Sequence, residues 1–89
     1  MLKETIEGMC STDYKERFKA EYQQTKERYE KLKAFNTKIE AASNYNSAEA
    51  KIEMPKHDCP DMLLRRQQTV MGEYLHILEL RAVIEGVEL

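Results

Sequence analysis

The stretch 59–82, CPDMLLRRQQTVMGEYLHILELRA, decides the fold, because its apolar residues cover two faces of one helix. At helical spacing, the first stripe consists of Leu64, Met71, Tyr74 and Leu78. The second stripe consists of Leu63, Val70, Ile77 and Ile84. The two stripes lie about 100° apart around the helix axis. One stripe suits packing within the chain, so two stripes predict a helix that also packs in an assembly.

Composition favours long helices. The chain has 89 residues with three glycines, two prolines, no tryptophan and 34% charged residues, which is typical of an all-α protein. A chain this short buries only a modest part of its surface, and a two-helix hairpin would be marginally stable alone. Self-association is the natural remedy, and symmetry favours a dimer or a higher closed assembly.

A second regular pattern begins at Phe18 and predicts the other long helix. Apolar or seam positions follow in steps of four and three: Phe18, Tyr22, Thr25, Tyr29, Leu32, Phe35 or Asn36, and Ile39. These steps are those of a coiled-coil-like seam. Ser11 is the predicted N-cap. Asp13 is expected in the first turn, where its negative charge interacts favourably with the helix dipole. Asn36 and Thr37 should weaken the last turns, so the helix is expected to fray between residues 36 and 42.

The remaining boundaries give a complete hairpin. Pro60 suits the first position of the second helix, and Gly86 suits its end. Residues 43–58 contain Pro55 and turn formers, so they read as a connection. We therefore expect one domain over residues 1–89, with a short helix at 2–9, a long helix at about 12–40 and a second at about 60–85. The predicted fold is an all-α antiparallel two-helix hairpin with a short N-terminal helix, oligomerising through the C-terminal helix.

Charge is unevenly distributed. The net charge of −2 argues against binding to long nucleic acid, which depends on neutralising many phosphates. Residues 15–33 carry a net +3, whereas residues 73–89 carry a net −3. The molecule therefore has a basic part and an acidic part, which can be solvated helix faces or a binding surface.

The sequence has no apolar run of signal-peptide or membrane-spanning length, so an intracellular protein without a membrane partner is expected. Cys10 and Cys59 are then expected to be free thiols. A zinc site from Cys10, His57, Cys59 and His76 is disfavoured, because His57 and Cys59 are too close in sequence for the usual ligand spacing. Gly-rich phosphate loops, HExxH and GxSxG are missing. We expect no enzyme activity, no metal and no cofactor.

Two segments carry a family resemblance. KERFKAEYQQTKERYEKLKAF, followed by CPDMLLRRQQTVMGEYLHILELRAVIEG, resembles small hairpin proteins of phages and prophages, including those of gut crAss-like phages. That group is similar to the hairpin domain of phage sponges that sequester the cyclic-nucleotide signals of CBASS and Thoeris immunity. The resemblance covers about residues 13–86.

The resemblance also implies a ligand site between subunits. In the sponges, an aromatic ring near the N-terminus, basic residues on the first long helix and an arginine on the last helix hold the ligand. The matching positions here are Tyr14, then Arg28 or Lys31, then Arg65 or Arg66. A tyrosine ring can stack on a base, and a guanidinium binds phosphate oxygens through two N–H groups. The alternative for Tyr14 is a packing contact, and for the two arginines an exposed flank with an inter-subunit hydrogen bond.

Two functions from different classes follow. The first is a phage-encoded sponge in the cytoplasm of the infected bacterial host, with cyclic di- or trinucleotides or cyclic ADP-ribose isomers as its ligands. The second is a helical interaction or assembly protein of a phage or prophage with no small ligand. A basic pocket at a subunit boundary favours the first, and a dry apolar seam with charges only at its rim favours the second.

Val70→Asp should dissociate the assembly, because the second stripe would then bury a carboxylate without a partner, which is costly. Sedimentation at micromolar concentration measures this. A wild-type protein that sediments as a 10.5 kDa monomer would contradict the prediction of self-association.

Overall fold

The computed structural model describes residues 13–89, which form two long helices and an irregular connection. Helix α1 spans Tyr14–Asn44 and helix α2 spans Asp61–Glu85. The start of α1 lies beside the end of α2, since Tyr14 hydrogen-bonds Glu85, and the two helices are therefore antiparallel. The predicted all-α helical hairpin is confirmed. The expected short helix at 2–9 lies outside the described residues.

Helix α1 is capped by Asp13, and not by Ser11 as the sequence predicts. The Asp13 side chain accepts a hydrogen bond from the Lys15 backbone N–H at 2.8 Å, and the helix begins at the next residue. Ser11 lies outside the described residues. The expected fraying between residues 36 and 42 is also wrong, because Asn36, Ile39 and Ala42 are buried and hold the last turns in place.

The seam between the helices follows the predicted spacing on α1. Phe18, Thr25, Asn36 and Ile39 are buried, and Tyr22, Tyr29, Leu32 and Phe35 are half-buried. Gly72 of α2 faces Tyr29, and a Cβ at this glycine would lie 3.3 Å from the tyrosine ring. The absence of a side chain at Gly72 thus makes room for the Tyr29 ring.

The first stripe of α2 is displaced from its predicted position. Leu78 is 1% exposed as expected, but Tyr74 stands at the rim with 38% exposure. Leu75 and Ala82, which the stripe left out, are buried. The face that meets α1 is therefore rotated away from Tyr74 towards Leu75 and Ala82.

The second stripe of α2 is exposed in the part of the chain that the structure describes. Leu63, Val70 and Ile77 are each slightly more than half exposed, and Ile84 is 82% exposed. Neither α1 nor α2 has a segment that is both long and apolar enough to cross a membrane. Self-association through this stripe remains a prediction.

The C-terminal tail completes the core. Gly86 adopts a left-handed conformation with φ 71°, and the Val87 N–H donates to Ala82 O at 2.8 Å. This turn directs Val87 back into the cluster formed with Phe18, Leu78 and Ala82. Residues 87–89, which follow α2, thus include a core residue at the open end of the hairpin, opposite the connection.

The other half of the seam contains a polar contact. The buried Asn36 amide nitrogen donates to Leu64 O at 3.1 Å and to Gln68 Oε1 at 2.9 Å. Its Oδ1 is buried without a hydrogen-bond partner among residues 13–89. At the tip, the connection is held by Asn46, whose side chain donates to Ala42 O and Ile52 O.

Leu78→Ala should lower the free energy of unfolding by about 2–5 kcal/mol, because it opens a cavity in the only described core cluster. The matched control is Leu80→Ala on the exposed face of the same helix. Urea unfolding at several protein concentrations separates the two variants. The decrease in the free energy of unfolding caused by Leu78→Ala should persist at the lowest protein concentration. A decrease that disappears on dilution would contradict a role of Leu78 in the core of the single chain.

Candidate ligand-binding site

A pocket of about 400 Å³ lies at the open end of the hairpin. It is lined by Tyr14, Arg17, Phe18, Glu21 and Arg81. Tyr14 and Phe18 stand one helical turn apart and share a face of α1. The antiparallel partner helix brings Arg81 to the same place. We call these five residues the end pocket.

Hydrogen bonds fix the polar groups beside the end pocket. Tyr14 Oη donates to Glu85 Oε1 at 2.6 Å and accepts from Arg81 Nη2 at 2.7 Å. Arg81 Nε donates to Glu85 Oε2 at 3.0 Å. The Arg81 guanidinium also lies 5.2 Å from the centre of the Phe18 ring, within cation–π range. The arginine is therefore held between an aromatic ring and a carboxylate.

The same contacts set the protonation states. The hydrogen bond to Glu85 raises the pKa of Tyr14, and the bonds from Tyr14 and then Arg81 lower the pKa of Glu85. The hydrogen bond to Glu85 raises the pKa of Arg81. Tyr14 is thus a neutral phenol at neutral pH, Glu85 a carboxylate and Arg81 a cation. An anionic ligand that reaches Arg81 has to compete with Glu85 for its N–H groups.

A larger cavity, of about 690 Å³, follows the outer face of α1. It is lined by Lys19, Tyr22, Gln23, Lys26, Glu27, Glu30, Lys31, Ala34 and Leu89. Lys26 Nζ stands 5.8 Å from the centre of the Tyr22 ring. The volume suits a small molecule. Its three lysines face two glutamates, so the lining is only weakly basic. We call this cavity the outer groove.

The structure places the five predicted ligand residues apart. Tyr14 lines the end pocket, whereas Lys31 lines the outer groove and pairs with Glu27 at 3.8 Å. Arg28 and Arg66 are exposed, and Arg65 pairs with Asp61 at 3.8 Å.

Distance separates the predicted aromatic from the predicted arginines. Arg65 and Arg66 stand near the start of α2, and Arg81 beside Tyr14 stands near its end. At 1.5 Å per residue, Arg65 and Arg81 are about 24 Å apart along the helix. One chain therefore does not bring Tyr14 and the Arg65–Arg66 pair to the same small ligand.

Arg17, Phe18 and Arg81 were missed as site residues. Phe18 was assigned only to the seam. Arg81 lies in the C-terminal segment, whose net negative charge gave no reason to expect an anion-binding residue there. A signal was present: in an antiparallel hairpin that begins near residue 14 and ends near residue 85, residues 81 and 85 fall beside residues 14 and 18.

Among residues 13–89, no three His, Cys, Asp or Glu side chains come together as a metal site would require. Cys59 is exposed as a free thiol, and Cys10 lies outside the described residues. Nothing in the described part of the chain thus supports the zinc set.

Three tyrosines link the helices through glutamates. Besides the Tyr14 bond, Tyr22 Oη donates to Glu79 Oε2 and Tyr74 Oη donates to Glu21 Oε1, both at 2.6 Å. The bond to Glu79 raises the pKa of Tyr22 to about 12, and the bond to Glu21 raises the pKa of Tyr74. One of these bonds involves Glu21 of the end pocket, so the pocket wall is tied to α2 twice.

The family model described as Sequestin matches residues 12–84, which is most of the chain. No curated protein and no solved structure matches. The match covers both helices almost completely and includes the connection.

Tyr22→Phe should remove a stabilising contribution that depends on pH. Because the folded-state pKa of Tyr22 is raised from 10 to about 12, this contribution is complete below pH 10 and is lost as the pH rises towards 12. Denaturant unfolding at pH 8 to 12 measures it. The wild type should exceed Tyr22→Phe in stability at pH 8 and lose that advantage near pH 12.

The matched control is Tyr45→Phe, since Tyr45 is 71% exposed and should contribute little. The prediction would be contradicted if the wild type remained more stable than Tyr22→Phe by a constant free energy of unfolding up to pH 12.

Proposed function

The chain belongs to the Sequestin family, and from this we propose that it is a non-catalytic protein that sequesters cyclic oligonucleotide signals. The family name denotes sequestration, which is a binding role. The proposal adds the ligand class and the setting: a phage-encoded sponge in the cytoplasm of the infected host, countering CBASS or Thoeris signalling. The resemblance of the two helices to phage sponges supports this setting.

The end pocket is the observation that carries the proposal. It combines the exposed ring of Tyr14 with the guanidinium groups of Arg17 and Arg81, and the buried ring of Phe18 packs against Arg81. A nucleotide needs both kinds of group, since its base stacks on aromatic rings and its phosphate accepts charge-assisted hydrogen bonds. In the proposed complex, a phosphate oxygen takes the place of Glu85 as the acceptor for Arg81.

The other predicted residues would complete the site from a second subunit. Arg65 or Arg66 is about 24 Å from Arg81 in its own chain, so an assembly is needed to bring them together. Arg28 and Lys31 lie on α1, where their charges add to the basic character of residues 15–33. In this proposal the homo-oligomer is part of the binding site.

Sequestration requires no chemical step. The groups at the end pocket are phenol, guanidinium and carboxylate, held by one another at 2.6 to 3.0 Å. In the proposed complex the phenol and the guanidinium donate to the phosphate after Glu85 is displaced, and the ligand should leave unchanged. Heating the complex and identifying the released nucleotide by mass spectrometry distinguishes a sponge from a nuclease.

The ligand test is calorimetry and thermal shift across cyclic di- and trinucleotides and cyclic ADP-ribose isomers. At 100 times its dissociation constant, a bound ligand should stabilise the fold by about 2.7 kcal/mol. Absence of binding across the whole panel would overturn the proposal and leave a helical interaction or assembly protein.

Tyr14→Ala should weaken binding of the cyclic nucleotide found in that screen by roughly 1–3 kcal/mol, the usual contribution of a base-stacking ring. Tyr14→Phe keeps the ring and should bind more tightly than Tyr14→Ala. Arg65→Ala and Arg66→Ala should weaken binding by removing charge-assisted bonds. Lys38→Ala is the matched control, since this exposed residue of α1 removes one positive charge away from both cavities. Equal affinities for Tyr14→Ala and Lys38→Ala would contradict a role for the ring.

A further inference from the structure

We infer that the second stripe of α2 is a two-fold interface in which α2 packs antiparallel to α2 of a second copy, with Val70 opposite the partner subunit's Ile77. This inference deepens the proposed function by specifying the self-association that the binding site needs. The interface does not depend on a bound ligand, so it can be tested independently of the proposed function.

Spacing makes the stripe complementary to itself. Leu63, Val70, Ile77 and Ile84 are seven residues apart, and each is more than half exposed. A two-fold axis between Glu73 and Tyr74 places each member opposite another member of the stripe: Leu63 opposite the partner's Ile84, and Val70 opposite the partner's Ile77. Such an interface is isologous and closed. A seven-residue repeat also keeps the contact continuous along two supercoiled helices.

Charge selects the antiparallel direction. The first part of α2 has Arg65 and Arg66 against Asp61, for a net +1, while residues 73–89 carry a net −3. Antiparallel packing sets the positive part of one copy beside the negative part of the other. Parallel packing would set −3 beside −3. The helix dipoles also oppose each other favourably in the antiparallel arrangement.

The second stripe runs along most of α2. Its four members span residues 63–84, which is about 32 Å along the helix. A specific interface buries about 800 Å² on each partner. Helix α2 offers a face about 37 Å long, and the exposed Met62 extends its apolar area beside the stripe. A second copy is therefore a partner of sufficient size.

The same packing changes the end pocket. With the axis between Glu73 and Tyr74, Arg66 comes level with the partner's Arg81, one turn from the partner's Glu85. In this register, an arginine that is far from Tyr14 in its own chain lies at the level of the other copy's end pocket.

Cysteine cross-linking tests the register, in a background of Cys10→Ser and Cys59→Ser. Val70→Cys mixed with Ile77→Cys should give a covalent dimer on oxidation, because the two positions face each other. Val70→Cys alone should not, since its two copies would be about 10 Å apart along the helix, too far for a disulfide. Lys38→Cys on α1 is the control that measures the yield of cross-linking by random collision.

Each other outcome overturns the inference. A dimer from Val70→Cys alone means parallel packing, and yields no higher than those of Lys38→Cys mean that this face is not an interface. Where either variant loses helix content under reducing conditions, Leu63→Cys mixed with Ile84→Cys tests the same register. Ligand binding is measured separately, so a failed nucleotide screen leaves the cross-linking result valid.

Discussion

The structure depends on an excess of apolar surface on α2. Helix α1 can cover only one side of it, because its seam is narrow and charged side chains surround that seam. Leu78 is fully buried on that side, while Ile84, on the other, is 82% exposed. Exposed apolar area of this extent is unfavourable in water. Among residues 13–89, α1 satisfies the packing requirement of α2 on one side only.

Helical periodicity explains what the sequence could predict. The steps of four and three from Phe18 to Ile39 placed the seam of α1 correctly, because each buried position repeats with the turn of the helix. The end of α1 was placed too early, since the low helix propensity of Asn36 and Thr37 was weighed without the burial that offsets it. Propensity is a local quantity, whereas burial depends on residues far along the chain.

The candidate site was predicted only in part for the same reason. Tyr14 was identified from its type and its place near a helix start, both of which can be read locally. Arg81 joins Tyr14 across 67 residues of sequence, and only the antiparallel pairing of the helices brings them within 2.7 Å. Its surroundings in the sequence are acidic, so regional charge pointed away from it. A local reading finds the residue types of such a site and misses its partners across the fold.

The buried Asn36 has a consequence for alignment. Its amide nitrogen reaches Leu64 O and Gln68 Oε1, and its Oδ1 finds no partner among residues 13–89, so the residue adds specificity at a cost in stability. If α2 slid by one turn along α1, the amide would lose its present pair of acceptors, Leu64 O and Gln68 Oε1. Asn36 therefore favours one alignment of the two helices. Together with the three tyrosine–glutamate bonds, this residue near the connection sets which side chains meet at the opposite end, where Tyr14 bonds Glu85.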